Sequence, residues 1–232
     1  GDVAGEFKYT GKDGNILQGV AALPGTPAAT TWPAGTFAFR GIAAYDLNAI
    51  HENMVRTATY VVAASDAPAH IKRQADYVCD GTDDQVEIQA AIDALPATGG
   101  VVELSTGTFY QADVILVDSN VWIRGAGAAT TLYLVDGTDR PQILNRDYTN
   151  ATGGNSGIVI SDLKLDGNKA HNTPSSGFMD YYNSPILLRY AHASAIERNT
   201  VINAPGIGIN VSYSDHINIT RNFVFDSYFD AI

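Results

Sequence analysis

The sequence predicts an all-β chain built around a parallel β-solenoid, and three observations carry that expectation. The first is self-similarity: Ile196-Glu197-Arg198-Asn199-Thr200-Val201 matches Ile219-Thr220-Arg221-Asn222-Phe223-Val224 at an offset of 23 residues. The second is a run of short strand-like pieces separated by Gly, Asn and Asp, with 22 glycines in 232 residues. The third is that only one stretch has convincing helical periodicity, so most of the apolar surface must be buried by strands.

The first element is a small β-rich region over residues 1–45. Phe7-Lys8-Tyr9-Thr10 leads to an expected turn at Gly11-Lys12-Asp13-Gly14, and Ile16-Leu17-Gln18-Gly19-Val20 follows. Gly25-Thr26-Pro27 and Trp32-Pro33-Ala34-Gly35 are further turn compositions, and Thr36–Arg40 reads as a strand. Residues 46–74 then read as a short helix over 46–58 (Leu47, Ile50 and Val55 near one face), an apolar strand Tyr60–Ala64, and a connector from Ser65 to Arg73.

The clear helix spans 84–95. Ile88, Ala91, Ile92 and Leu95 fall at i, i+3, i+4 and i+7, and Pro96 with Gly99-Gly100 ends it. Asp84 and Glu87 have the spacing of a pair that caps its free N–H groups. A helix with one apolar stripe has something to cover. Beyond it come expected strands at 101–104, 114–117, 121–123, 131–135, 157–165, 186–188, 195–201, 208–211, 216–220 and 223–225. The 23-residue offset also sets Asn203 on Asp226, Gly208 on Ala231 and Ile209 on Ile232. An earlier copy, Ile160–Leu165, lies 36 residues before the Ile196 copy, one repeat with an insertion of 13. Such a repeat is the length of one solenoid turn. Turns stacked about 4.8 Å apart align their inward Ile and Val and allow an Asn ladder, with Asn199 over Asn222. An ordinary β-sandwich is the competing fold, but it gives no reason to repeat Arg-Asn at a fixed offset.

Composition narrows the function. The formal charge is −11, which opposes a nucleic-acid role because phosphates call for a basic surface. No uncharged apolar run approaches the roughly 18 residues of a membrane span. The opening Gly1-Asp2-Val3 has neither an initiator Met nor the basic start of a signal peptide, and Ile232 falls within a strand-like pattern. The expectation is a section of a longer chain. Cys79, the one cysteine, follows Tyr77-Val78 and reads as a buried small side chain.

From Ala75 to Gly127 the motifs are Asp80-Gly81-Thr82-Asp83-Asp84, Ile88-Gln89-Ala90-Ala91-Ile92-Asp93-Ala94-Leu95-Pro96, Gly99-Gly100-Val101-Val102-Glu103-Leu104, Gly107-Thr108-Phe109 and Ile123-Arg124-Gly125-Ala126-Gly127. This stretch resembles the start of the pectate-lyase-like family of right-handed parallel β-helix proteins. The resemblance implies a right-handed coil over 75–232 with the helix as its N-terminal cap, which would protect the open edge of the first turn. Leu17-Gln18-Gly19-Val20, Gly25-Thr26-Pro27-Ala28 and Trp32–Thr36 are similar to a short module of bacteriophage tail proteins. Together the two resemblances imply a phage tail spike or tail fibre that acts outside the cell. They further imply a homotrimer, contact with other virion tail proteins through residues 1–60, and a host surface polysaccharide as ligand, with no membrane insertion. A polysaccharide depolymerase (lyase or glycoside hydrolase) on the same scaffold and a secreted bacterial pectate-lyase-like enzyme remain open alternatives, because fold does not fix function.

Glycan-cleaving β-helices use carboxylates on the solenoid face, and the candidates are Asp162, Asp166, Asp180, Glu197, Asp215, Asp226 and Asp230. Asp162 falls in register with Arg198 and Arg221, as expected of a salt-bridged turn, and no catalytic residue is assigned. Residues 167–185 break the repeat and hold His171, Phe178, Asp180, Tyr181 and Tyr182, the expected glycan contacts: rings to stack on sugar faces, and polar groups to bond hydroxyls. Tyr190, Tyr213 and Tyr228 could extend that surface. The signatures of the hydrolase branch do not match: Asn199-Thr200 is followed by Val201, and Asp83-Asp84 lies at the helix. His51, His70, His171, His192 and His216 lack metal-ligand spacing, and Gly125-Ala126-Gly127 is no dinucleotide loop, so neither metal nor cofactor is expected.

Overall fold

The computed structural model describes residues 59–173 and 183–232, together with four short strands before them. The chain divides into two compact units, residues 1–55 and 56–232. In the first, β1 (Phe7–Lys8) pairs antiparallel with β4 (Ala21–Ala22), and β2 (Gly11–Asp13) with β3 (Ile16–Gln18). The turn expected over 11–14 is therefore corrected. Residues 11–13 are a strand, and the sequence joining it to its partner is Gly14-Asn15, a dipeptide suited to a two-residue hairpin. The expected strand 36–40, the helix 46–58 and the turns over 25–35 lie outside the described residues.

The second unit opens with β5 (Thr59–Ala63), the short helix α1 (Ala69–Lys72), β6 (Tyr77–Val78) and the helix α2 (Gln85–Asp93). The connector read over 65–73 thus contains a helical turn. Five successive turns of chain follow. Turn 1 holds β7 (Gly100–Leu104), β8 (Gly107–Gln111) and β9 (Ile115–Val117). Turn 2 holds β10 (Val121–Leu134), β11 (Ile143–Asn145) and β12 (Asn155–Ser156). Turn 3 holds β13 (Val159–Asp166), β14 (Ile186–Arg189) and β15 (Ala191–His192). Turn 4 holds β16 (Ala195–Glu197), β17 (Thr200–Ile202) and β18 (Ile209–Ser212), and turn 5 holds β19 (Asn218–Thr220) and β20 (Phe223–Phe225).

Among the described residues of this unit every strand pair is parallel, and each strand pairs with its equivalent in the next turn. That is the pairing of a parallel β-helix, whereas a β-sandwich is antiparallel. The inward residues form three stacks: Val102–Ile123–Ile160–Ile196–Ile219, Phe109–Leu132–Leu165–Val201–Val224 and Ile115–Ile143–Ile186–Ile209. All but Ile219 and Val224 are fully buried. At about 25 cal/mol per Å² of apolar surface, these stacks supply most of what holds the unit together.

The 23-residue offset is confirmed residue by residue, with Ile196 on Ile219 and Val201 on Val224. Ile160 lies on Ile196, which confirms the 36-residue copy. The turn after Val121 departs from expectation. The two strands expected there are one strand, β10, whose register slips between Arg124 and Thr131. Gly125 permits the slip: a Cβ there would stand 2.7 Å from the Thr130 Cβ and 2.8 Å from the Asp162 carbonyl. Buried Thr130 closes the bulge, accepting from the Ala126 N–H and donating to the Ser105 carbonyl.

Helix α2 buries Gln85, Ile88, Ala91 and Ile92, the last three on the expected stripe. The capping pair expected of Asp84 and Glu87 does not form, since Asp84 makes no side-chain cap bond to the helix. Its fully buried carboxylate instead accepts from the Gly81 and Tyr110 amides at 2.8 and 2.7 Å, tying the segment before the helix to β8. Two glutamines serve open strand positions of turn 1. Gln85 accepts from the Ala112 N–H, and Gln89 both accepts from the Leu116 N–H and donates to the Leu116 carbonyl.

Candidate functional site

The corners of the coil require φ near +55°, a conformation that strains any residue with a Cβ. Two corners meet that requirement in different ways. The first lies within β13 in turn 3 and directly after β16 and β19 in turns 4 and 5, with Asp162, Arg198 and Arg221 at φ +57°, +57° and +56°. Arg198 donates to both carboxylate oxygens of Asp162 at 2.8 Å and pairs with Glu197 at 2.8 Å. These donors hold the Asp162 carboxyl below the usual carboxylate range. The next residue forms the expected ladder. Asn199 donates to the Ile160 carbonyl and accepts from the Leu163 N–H, and Asn222 accepts from the Asn199 N–H and donates to the Ile196 carbonyl.

The second corner follows β14 and β18 and carries Gly154, Tyr190 and Tyr213 at φ +66°, +54° and +51°. The Tyr190 and Tyr213 rings stack 5.2 Å apart, with the Arg189 guanidinium 4.8 Å from one ring centroid and 5.3 Å from the other. Buried Asn145 fixes the strand end beneath them, accepting from the Arg189 N–H and donating to the Arg189 carbonyl. Tyr213 is 73% exposed. Two residues further along, His192 bonds Asp215 through Nδ1 at 2.6 Å and the Gly153 carbonyl through Nε2 at 3.1 Å, and His216 lies 3.4 Å from the same carboxylate. The two histidines hold the Asp215 carboxyl below its ordinary value. The result is one exposed ring backed by a second ring and a cation, flanked by imidazole and carboxylate groups. That set can stack on a sugar face and bond its hydroxyls.

The residues expected to contact a glycan fare unevenly. His171 is exposed, 3.5 Å from Asp136, and its carbonyl accepts from the Gly137 N–H. Phe178, Asp180, Tyr181 and Tyr182 lie outside the described residues. The root of their insertion is clamped by buried side chains: Asn168 donates to the Leu134 carbonyl and to Asp136, and Asn172 accepts from the Asp139 N–H. Among the described candidate acids, Asp166 accepts from the Asn168 N–H and from Asn203, and Asp226 pairs with Lys169. Asp230 gives its carbonyl to the Gly208 N–H. Tyr228 packs edge-on against Phe229, apart from the Tyr190–Tyr213 stack. Arg189, His192 and His216 were not singled out as ligand contacts, although the 23-residue offset places His192 on Asp215 as surely as Tyr190 on Tyr213.

Among the described residues one group has the reach of a metal site: Cys79, Asp84 and Glu87, with ligand atoms within 4.8 Å of one another. Burial first, and the neighbouring carboxylates second, push the Cys79 thiol up toward its neutral form. Asp84 is already committed to two backbone amides. The arrangement fits a packed interior segment better than an ion. No helix among the described residues is long and apolar enough to cross a membrane.

No family model matches the chain. In an alignment of 99 positions that covers 38% of this chain, it is 39% identical to mannuronan C5-epimerase AlgE5 of Azotobacter vinelandii. In an alignment of 102 positions that also covers 38% of this chain, it is 38% identical to alginate lyase 7 of the same organism. The matches span 10% and 11% of those proteins, so the chain covers about a tenth of the length of the curated relatives it matches. In structure it is similar to ORF18 of Geobacillus virus E2, with a TM-score of 0.52 and 19% identity over 75% of this chain and 31% of that one. The last likeness is one of fold.

Proposed function

We propose that this chain is a section of a bacteriophage tail spike or tail fibre whose β-helix engages a host surface polysaccharide through the Tyr190–Tyr213 corner. One observation carries the reading: Tyr213 stands exposed at a strained corner, stacked on Tyr190 and Arg189, with His192, Asp215 and His216 beside it. The fold shared with a virus protein supports the virion assignment, and the named activities of the curated relatives support a polysaccharide ligand. In this reading the coil is right-handed, α2 is its lid, and residues 1–60 meet other tail proteins. Copies of the chain associate as a homotrimer, the protein works outside the cell, and neither nucleic acid nor membrane is a partner. His171, Phe178, Asp180, Tyr181 and Tyr182 of the insertion would add further glycan contacts.

A second reading, a polysaccharide depolymerase (lyase or glycoside hydrolase) on the same scaffold, is favoured by the identity to a lyase and by His216, exposed and backed by the Asp215 carboxylate. One experiment separates the two. The protein is passed over immobilised host polysaccharide, and the same polysaccharide is incubated with it and sized. Retention without shorter chains supports adhesion, and shorter chains assign a depolymerase. Retention of Tyr213→Ala equal to the unaltered protein removes this corner from the site, and no retention of either removes the glycan reading.

A further inference from the structure

Among the described residues, the His192 ring faces two acceptors. Nδ1 meets the Asp215 carboxylate at 2.6 Å and Nε2 meets the Gly153 carbonyl at 3.1 Å. A neutral imidazole carries one N–H and satisfies one acceptor; only the imidazolium satisfies both. The three partners belong to three successive turns: Gly153 just before β12 in turn 2, His192 at the end of β15 in turn 3, and Asp215 after β18 in turn 4. We infer that His192 is a proton-operated staple joining these turns, and that it sets the rigidity of the Tyr190–Tyr213 face.

The mechanical link is short. Gly154, next to the stapled carbonyl, lies so close under Tyr190 that a Cβ on it would stand 1.7 Å from the Tyr190 carbonyl oxygen. His192 is two residues past Tyr190, and Asp215 two past Tyr213, so the staple grips the chain on both sides of the ring pair. The charged groups around it are few. Asp215 and His216 face it from the following turn, and Arg189 on its own side lies over the tyrosine rings. In the preceding turn Asp147 is turned to the Asn155 amide. His216 approaches the same Asp215 oxygen from farther away, so it competes with His192 for that carboxylate.

The sign follows from which forms bond. Both His192 bonds exist while the ring is charged, and one is lost once the ring gives up a proton. The Asp215 bond is lost at the other end, as pH falls through a carboxyl range that the histidines have lowered. The staple is therefore fully closed while the ring is charged and Asp215 is ionised, and it loosens when the ring becomes neutral. That it governs ligand binding rests on the glycan reading above; that it joins the turns does not.

The test is hydrogen exchange of the full chain over residues 150–157 and 191–193, corrected for the intrinsic pH dependence of exchange. Protection is expected to fall about fivefold between about pH 5.5 and about pH 8, the worth of one ordinary hydrogen bond at a half-exposed site, and to be flat in His192→Gln. Protection that is flat in the unaltered protein, or that keeps its slope in His192→Gln, overturns the inference. Should the variant fail to fold, the ring nitrogen shifts of His192 in the unaltered protein decide: both nitrogens protonated at mildly acidic pH supports the staple, and one bare nitrogen sinks it. Polysaccharide retention over the same pH range is read separately. Exchange that responds to pH while nothing is retained sinks the glycan reading and leaves the staple standing.

Discussion

The Asp162–Arg198–Arg221 corner and the Gly154–Tyr190–Tyr213 corner bend the chain by the same means, with φ between +51° and +66° in successive turns, yet they use their side chains oppositely. At the first, the strained residues repay their conformation locally: Arg198 binds Asp162 and Glu197, and the adjoining Asn199 fills backbone bonds that the bend leaves open. At the second, strain is borne by stacked tyrosines, the outer of which faces solvent, and the bracing comes from Asn145 and Ser214 behind them. A repeated bend is thus a neutral frame. Where side chains turn inward along the ladder the corner is structural, and where they turn outward without need the corner is available for recognition.

The sharpest way to break this contrast is to compare the first corner and its stack with the second by mutation. Ile196→Asp places a charge between Ile160 and Ile219 with no partner, and should destabilise by roughly 3–5 kcal/mol in denaturant melts. A change in melting temperature below about one degree would remove Ile196 from the stack. Asn199→Ala comes next. It leaves the Ile160 carbonyl and Leu163 N–H buried and unpaired, for roughly 2–4 kcal/mol. Asn222→Ala, in the more open last turn, should cost about half as much, and equal costs would mean that the ladder is not graded by burial.

How much of this was legible in the sequence depends on what encodes it. The stacked turns were legible because each strand pairs with its own copy, so Ile196 and Ile219, or Asn199 and Asn222, announce their contact by a fixed offset. Strands without a copy of similar composition were not. Ile143–Asn145 has Asn145 turned inward as a clamp, and Gly107–Gln111 ends in a buried Gln; neither shows a plain apolar alternation. The role of Asp84 is hidden because the sequence shows only its helical neighbours, while its partner, the Tyr110 amide, is 26 residues away. The candidate site was half legible. Tyr190 and Tyr213 share the repeat, but His192 and Asp215 are unlike residues at equivalent positions, and unlikeness hides a register.

A smaller effect distinguishes the corners by pH. Because Arg198 lowers the Asp162 carboxyl, the pair stabilises the fold above about pH 4 and loses that contribution as pH falls through the lowered value. Asp84 works in the opposite sense: burial raises its carboxyl, so the folded chain holds that proton more tightly, and acid favours folding at this position. Arg198→Met should remove the Asp162 part alone. The expected result is a shallower loss of the denaturation midpoint between about pH 5 and pH 2.5 than in the unaltered chain. An unchanged acid limb would show that the ion pair contributes nothing to the first corner.

The smallest effect should carry the opposite sign. Turn 2 places glycine, Gly154, where turns 3 and 4 place tyrosine, so the fold itself shows that glycine is accepted in this column. Tyr213→Gly relieves a left-handed conformation that costs a residue with a Cβ about 1 kcal/mol, offset by the greater freedom glycine gains in the unfolded chain. It also gives up a stack on Tyr190 that is largely open to water. The balance is a change within about 0.5 kcal/mol of zero, on the stabilising side, read as an equal or slightly higher denaturation midpoint. Loss of more than about 1 kcal/mol would make the ring a structural member and the two corners alike. A neutral or stabilised variant that no longer holds polysaccharide would show that the tyrosine is kept for what it contacts, against the preference of the backbone that carries it.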